Sequence, residues 1–181
     1  MEPLNIILLI TIIVGLLAIL YITIYNKLQT EKSKIEHVES LIDNALREKF
    51  DLVKRSNLVI LEVLKTKKEY LKEYIALETQ DISNFDLERD LKTAESIINN
   101  LFHDHEDLEK NENMISIIHD FKECNEKLTA CILYYNKEVA ILNNITRKFP
   151  NNIVAKIHHI KIKPFFDGKD MQDDNNNDFK F

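Results

Sequence analysis

The sequence predicts an all-α fold in which one N-terminal membrane-spanning helix is followed by long amphipathic helices. Three observations carry that expectation. Residues 4–24, LNIILLITIIVGLLAILYITI, contain no Asp, Glu, Lys or Arg. At about 1.5 Å per residue such a run reaches about 31 Å, the thickness of a hydrocarbon core. No glycine or proline lies between Gly15 and Pro150, although turns between strands lean on both. Beyond the run, apolar residues recur every three or four positions, which places them in one stripe on a helix.

The apolar run reads as an uncleaved anchor over residues 1–26. Only Glu2 and Pro3 separate it from Met1, and neither is basic. Its exit, Ile22-Thr23-Ile24-Tyr25-Asn26, has no small-residue cleavage pattern, so it departs from a secretory signal. The competing readings are a buried core helix and a cleaved signal. Lys27, Lys32, Lys34, Arg47 and Lys49 follow the run, and no Lys or Arg precedes it. By the positive-inside rule the N-terminus faces outward and the following domain is cytoplasmic, giving a single-pass protein of the cell membrane. Tyr21 and Tyr25 suit the inner interface. Gly15 and Ala18 are either lipid-facing filler or a small patch for a second span, without GxxxG spacing.

Residues 27–166 suffice for one domain. The net charge of −6 argues against a nucleic-acid partner. Cys124 and Cys131 are seven apart, about 10 Å along a helix and too far for a disulfide. Two free thiols suit a reducing cytoplasm.

Taken in order, Pro3 fits a first helical turn. Leu28, Ile35, Val38, Ile42, Ala45 and Leu52 then form one stripe. Residues 50–77 are more broadly apolar and predict a helix touching two neighbours, with no clear break from the preceding one. Lys65, Lys67, Lys68 and Lys72 read either as a solvated face or as a contact for anionic headgroups. A polar break at residues 80–84 offers Ser83 or Asn84 as the cap of a new helix, with Asp86 and Glu88 near its positive end. Leu87, Leu91, Ala94, Ile98, Leu101, His105 and Leu108 make the most regular seam, of coiled-coil spacing. After a second break at residues 109–113, Asn113 is the expected cap. Met114, Ile117, Phe121, Cys124, Leu128, Cys131, Tyr135, Val139, Leu142, Ile145 and Phe149 continue the rhythm until Pro150 stops it. Residues 151–166 are apolar and basic. Residues 167–181 read as a disordered Asp- and Asn-rich tail.

Motifs of catalysis are not found. The sequence has no Gly-rich phosphate loop, G-x-S-x-G, H-E-x-x-H or C-x-x-C. His103-Asp104-His105-Glu106 resembles a metal cluster, but residues two apart do not share a helix face, and His105 falls in the apolar seam. Asp43, Asp51 and Glu62 lack the carboxylate and histidine spacing of a di-iron site. Cys124 and Cys131 lie on the core stripe as small apolar residues. His158 and His159, beside Lys156, Lys161 and Lys163, are either solvated or in contact with headgroups. Asn143 is expected to hydrogen-bond a neighbouring helix, since a buried amide needs a partner. No catalytic, cofactor-binding or metal-binding residue is assigned.

Particular residues go beyond periodicity. Tyr25-Asn26 and LIDNALREKFDLV at residues 41–53 resemble the first conserved block of the LemA family. Tyr135-Asn136, Val139, Asn143, Phe149-Pro150, Asn152, Ala155 and Phe166 resemble its second. The family usually has a proline after the Asp-Leu pair, where Lys54 and Arg55 stand here. It commonly has Gly-Phe after the late Ala, where His158-His159-Ile160 stand. The resemblance implies a membrane-anchored antiparallel four-helix up-and-down bundle with no established enzymatic activity or cofactor. Members are associated with bacterial envelope and stress functions, and relatives occur among magnetosome membrane proteins.

The expected function is therefore a non-enzymatic scaffold or adaptor that presents a cytoplasmic helical bundle. Its partners would be the bilayer, through residues 4–24, an unidentified membrane or cytoplasmic protein, and a further copy of the chain. The alternative is a membrane-surface organiser that binds anionic lipids through basic helix faces.

Overall fold

A computed structural model describes residues 3–80 and 82–166. Among the described residues every regular element is helical. Helix α1, Pro3–Leu64, is unbroken for 62 residues. With Lys54 and Arg55 in place of a family proline, every amide there can donate to the helix, and it passes through residues 51–55 without a break. The helix expected over residues 50–77 instead ends at Leu64. Lys65 takes a left-handed φ of 46°, the conformation that ends many helices. Residues 65–71 are not helical, so Lys65, Lys67 and Lys68 lie on a loop and not on a helix face. The Lys68 ammonium sits 4.6 Å from the Tyr70 ring centre, and Lys72 pairs with Glu69 at 2.7 Å.

Short α2 (Lys72–Ile75) and a 3-10 turn (Ala76–Thr79) follow. Ser83 caps α3 (Asn84–Asp104): its hydroxyl accepts from the Asp86 N–H at 3.1 Å and donates to the Asp86 carboxylate at 2.7 Å. The seam expected to run through His105 breaks there. His105 is extended, and one-turn α4 (Glu106–Glu109) begins after it. Helix α5 (Glu112–Arg147) is capped by Asn111 and not by Asn113, because the Asn111 Oδ1 accepts from the Met114 N–H at 3.0 Å. It stops two residues before Phe149, which leaves the expected stripe and stands 80% exposed. Helix α6 is Asn151–Ile157. The tail expected at residues 167–181 lies outside the described residues.

The chain divides into two units, residues 1–37 with 135–181, and residues 38–134. In the first, the described side chains of residues 3–23 are exposed. Helix α1 is there long and apolar enough to cross a membrane. Past the apolar run, Ile24, Leu28 and Ile35 are buried, as are Val139 and Leu142 of α5 and Val154 and Ala155 of α6. Lys34 lies 3.1 Å from Glu31 and 3.8 Å from the buried carboxylate of Glu138.

An extended segment after α6 completes this unit. His159 takes φ 52°, and its N–H donates to the Lys156 carbonyl while the Ile160 N–H reaches back to that of Ala155 at 2.9 Å. This is a Schellman cap built on a histidine. A side chain in this backbone region costs about 1 kcal/mol relative to glycine. His159→Gly is expected to raise stability by about that amount, read as a rise of a few degrees in melting temperature. Asn143 does not bond a helix as expected. Its amide donates to the Lys163 carbonyl at 2.8 Å and accepts from the Lys163 N–H at 2.9 Å. Asn136 accepts from the Phe166 N–H at 2.8 Å, and the Tyr135 hydroxyl donates to the Pro164 carbonyl at 3.2 Å. The two asparagines share a helix face because they are seven apart. Together they replace the strand partner that an extended backbone would otherwise need.

The second unit holds residues 38–64 of α1, then α2, α3, α4 and the first part of α5. Val38, Ile42, Ala45, Val53 and Ile60 are buried there, with Leu91, Ala94 and Ile98 of α3 and Met114, Ile117 and Phe121 of α5. The three stripes read from the sequence supply this core. Leu71 is also buried, fixing the loop after α1 onto it.

Candidate functional site

The most unusual chemistry of the second unit is a charged group inside its core. Lys49 is only 2% exposed. Its ammonium pairs with the Glu95 carboxylate of α3 at 2.9 Å and donates to the Asn125 Oδ1 of α5 at 2.8 Å. The Asn125 amide donates to the other Glu95 oxygen at 2.7 Å. The triangle joins three helices, and each member has a partner. Such closure is what makes a buried charge tolerable, because an unpaired one loses its hydration without return.

Above Glu95 and Asn125 a shallow groove of about 600 Å³ runs between α3 and α5. Asn99, Ile118, Phe121, Lys122, Glu126, Thr129, Ala130 and Leu133 line it. Leu133, at 66% exposure, is a large apolar side chain open to solvent. The groove therefore offers an apolar wall and a polar rim over a fixed floor, and Glu95 and Asn125 already use their polar atoms on each other and on Lys49. Recognition chemistry is available here: shape, an apolar contact, and exposed charges of both signs.

The residues weighed earlier for chemistry fall elsewhere. His103 Nδ1 meets Glu109 at 3.3 Å, while His105 stands in the helix break. Among the described residues no three His, Cys, Asp or Glu side chains gather in a way that could hold a metal ion. Cys124 is buried, and its Sγ lies 3.4 Å from the Ala45 carbonyl, to which the thiol donates. Burial, with Glu48 next in weight, raises its pKa above the ordinary thiol range. The folded state then holds a proton that the unfolded state releases first. Stability from this group is full below the ordinary thiol value of about 8.5 and falls as pH rises above it. Cys124 is expected to resist iodoacetamide in the folded protein and to react on unfolding, as peptide mass spectrometry would report.

The Lys49 triangle was not legible beforehand. In the sequence Lys49 is one of several basic residues following the apolar run, and its bonds to Glu95 and Asn125 are long-range. The available signal was positional: Lys49 is seven residues from Ile42 and four from Ala45, beside the buried stripe.

These features define an all-helical protein with a long apolar N-terminal helix and a grooved helical unit. The chain belongs to the LemA family, whose model matches residues 38–181. Neither comparison with curated proteins nor comparison with solved structures gives a match.

Proposed function

We propose that this LemA-family protein is a non-enzymatic scaffold or adaptor, held at the inner face of the cell membrane by residues 4–24 and presenting a helical surface to protein partners. The observation that carries the reading is the groove of residues 95–133. Its floor is hydrogen-bonded through Lys49, Glu95 and Asn125, its rim is polar, and Leu133 supplies an exposed apolar contact. Rigid helical elements suit binding because little conformational freedom is lost on association. The exposed apolar run of α1 supports the tether, and the lysines that follow it support a cytoplasmic domain. The acidic balance of the chain is poorly suited to nucleic acid. An antiparallel up-and-down arrangement, with residues 38–64, α3 and α5 as its long members, belongs to the same proposal.

The test is photocrosslinking in native membranes with a benzophenone amino acid at Leu133. A discrete protein adduct is expected, lost when Asn99→Arg fills the opposite wall while helicity and membrane retention are unchanged. No adduct, or one indifferent to Asn99→Arg, contradicts the reading.

A further inference from the structure

The stretch from Val139 to Phe166 contains no Asp or Glu in a chain of net charge −6. It carries five basic residues, Arg147, Lys148, Lys156, Lys161 and Lys163. The same stretch exposes four large apolar side chains, Phe149, Ile153, Ile157 and Ile162. On α6 the two faces are sorted: Val154 and Ala155 are buried, whereas Ile153 and Ile157, four apart and one above the other, point outward. Exposed apolar groups set among basic residues are costly in water and are the composition of an interfacial membrane element.

Its level along α1 is fixed within the same unit. His158, directly after α6, is hydrogen-bonded through Nε2 to the Tyr21 hydroxyl at 2.6 Å. Its ring also lies 4.4 Å from that of Tyr25. Tyr21 belongs to the last turn of the apolar run, so α6 ends at the height where that run would leave the hydrocarbon. A water-facing role for Ile153 and Ile157 is hard to reconcile with that height. The headgroup and upper acyl region accommodates both the isoleucines and the lysines, whose long stems let their charges reach the phosphates.

We infer that α6 and the residues flanking it, 147–163, are a second membrane contact, lying in the inner interface of an anionic bilayer beside the end of the spanning helix. The Tyr21–His158 contact sets its depth, and the asparagine clamps hold the following segment to α5. The inference rests on residues 4–24 spanning the bilayer, and the test separates the two.

The chain has no tryptophan, so a single introduced one reports its surroundings without background. Full-length Ile157→Trp, Phe149→Trp and Leu17→Trp proteins are placed in nanodiscs of phosphatidylcholine brominated at shallow or at deep acyl positions, mixed with phosphatidylglycerol. Leu17→Trp is expected to be quenched most by the deep bromines. Ile157→Trp and Phe149→Trp should lose about half their emission with shallow bromines and less with deep ones, as an interfacial depth of about 5–10 Å requires. If Leu17→Trp is quenched while both other variants emit as in water, the second contact is refuted and the span stands. If Leu17→Trp is itself unquenched, the span fails and the inference falls with it. Both surface positions are exposed, and the circular dichroism of each variant confirms that a negative result comes from folded protein.

Discussion

Replacing Lys49 with methionine is expected to destabilise residues 38–134 by about 3–5 kcal/mol. The methionine fills the space of the lysine stem but brings no donor. Glu95, mostly enclosed at 15% side-chain exposure, then keeps its charge without the ammonium, and the Asn125 Oδ1 loses its partner. The cost comes from the groups left behind more than from the bond removed. Thermal unfolding should show a fall in melting temperature of more than about 10 °C. Lys49→Met with Glu95→Leu and Asn125→Leu should recover most of the loss, because an apolar replacement of a whole buried charged group, with no partner left behind, is often neutral. If the single variant unfolds within a degree or two of the parent, the triangle is not a structural support.

Asn143→Leu is the second substitution with a large expected effect. It removes at once both hydrogen bonds that the Asn143 amide makes with the N–H and the C=O of Lys163. About 2–3 kcal/mol is expected, concentrated on the segment after α6. Protease cleavage within residues 160–166 should accelerate strongly while the second unit melts as before. Asn136→Ala removes one bond and should have a smaller effect. Equal cleavage rates in Asn143→Leu and the parent would contradict the clamp.

The helices were legible because an apolar stripe is a local signal. Leu28, Ile35, Ile42, Leu91, Ile98, Phe121 and Val139 could be placed on buried faces from spacing alone, and all are buried. Helix ends were less legible where no glycine or proline marks them. Nothing in Leu64-Lys65-Thr66-Lys67 forbids continued helix; the stop comes from Lys65 entering left-handed backbone while Leu71 folds into the core. Phe149 kept the stripe's spacing but follows the last turn of α5, so periodicity outlasted the helix that gave it meaning. The polar contacts were the least legible. Asn143 was identifiable as a buried amide, yet its partner is backbone that no side-chain pattern announces. The floor of the groove depends on bonds between residues 49, 95 and 125, which only the packed helices bring together.

Tethering by residues 4–24 underlies the functional reading and is open to one direct measurement. Membranes from cells making the full chain are washed with alkaline carbonate, and the pellet and supernatant are probed for the intact protein. The account predicts intact protein in the pellet, released only by detergent. Intact protein in the carbonate supernatant would contradict it.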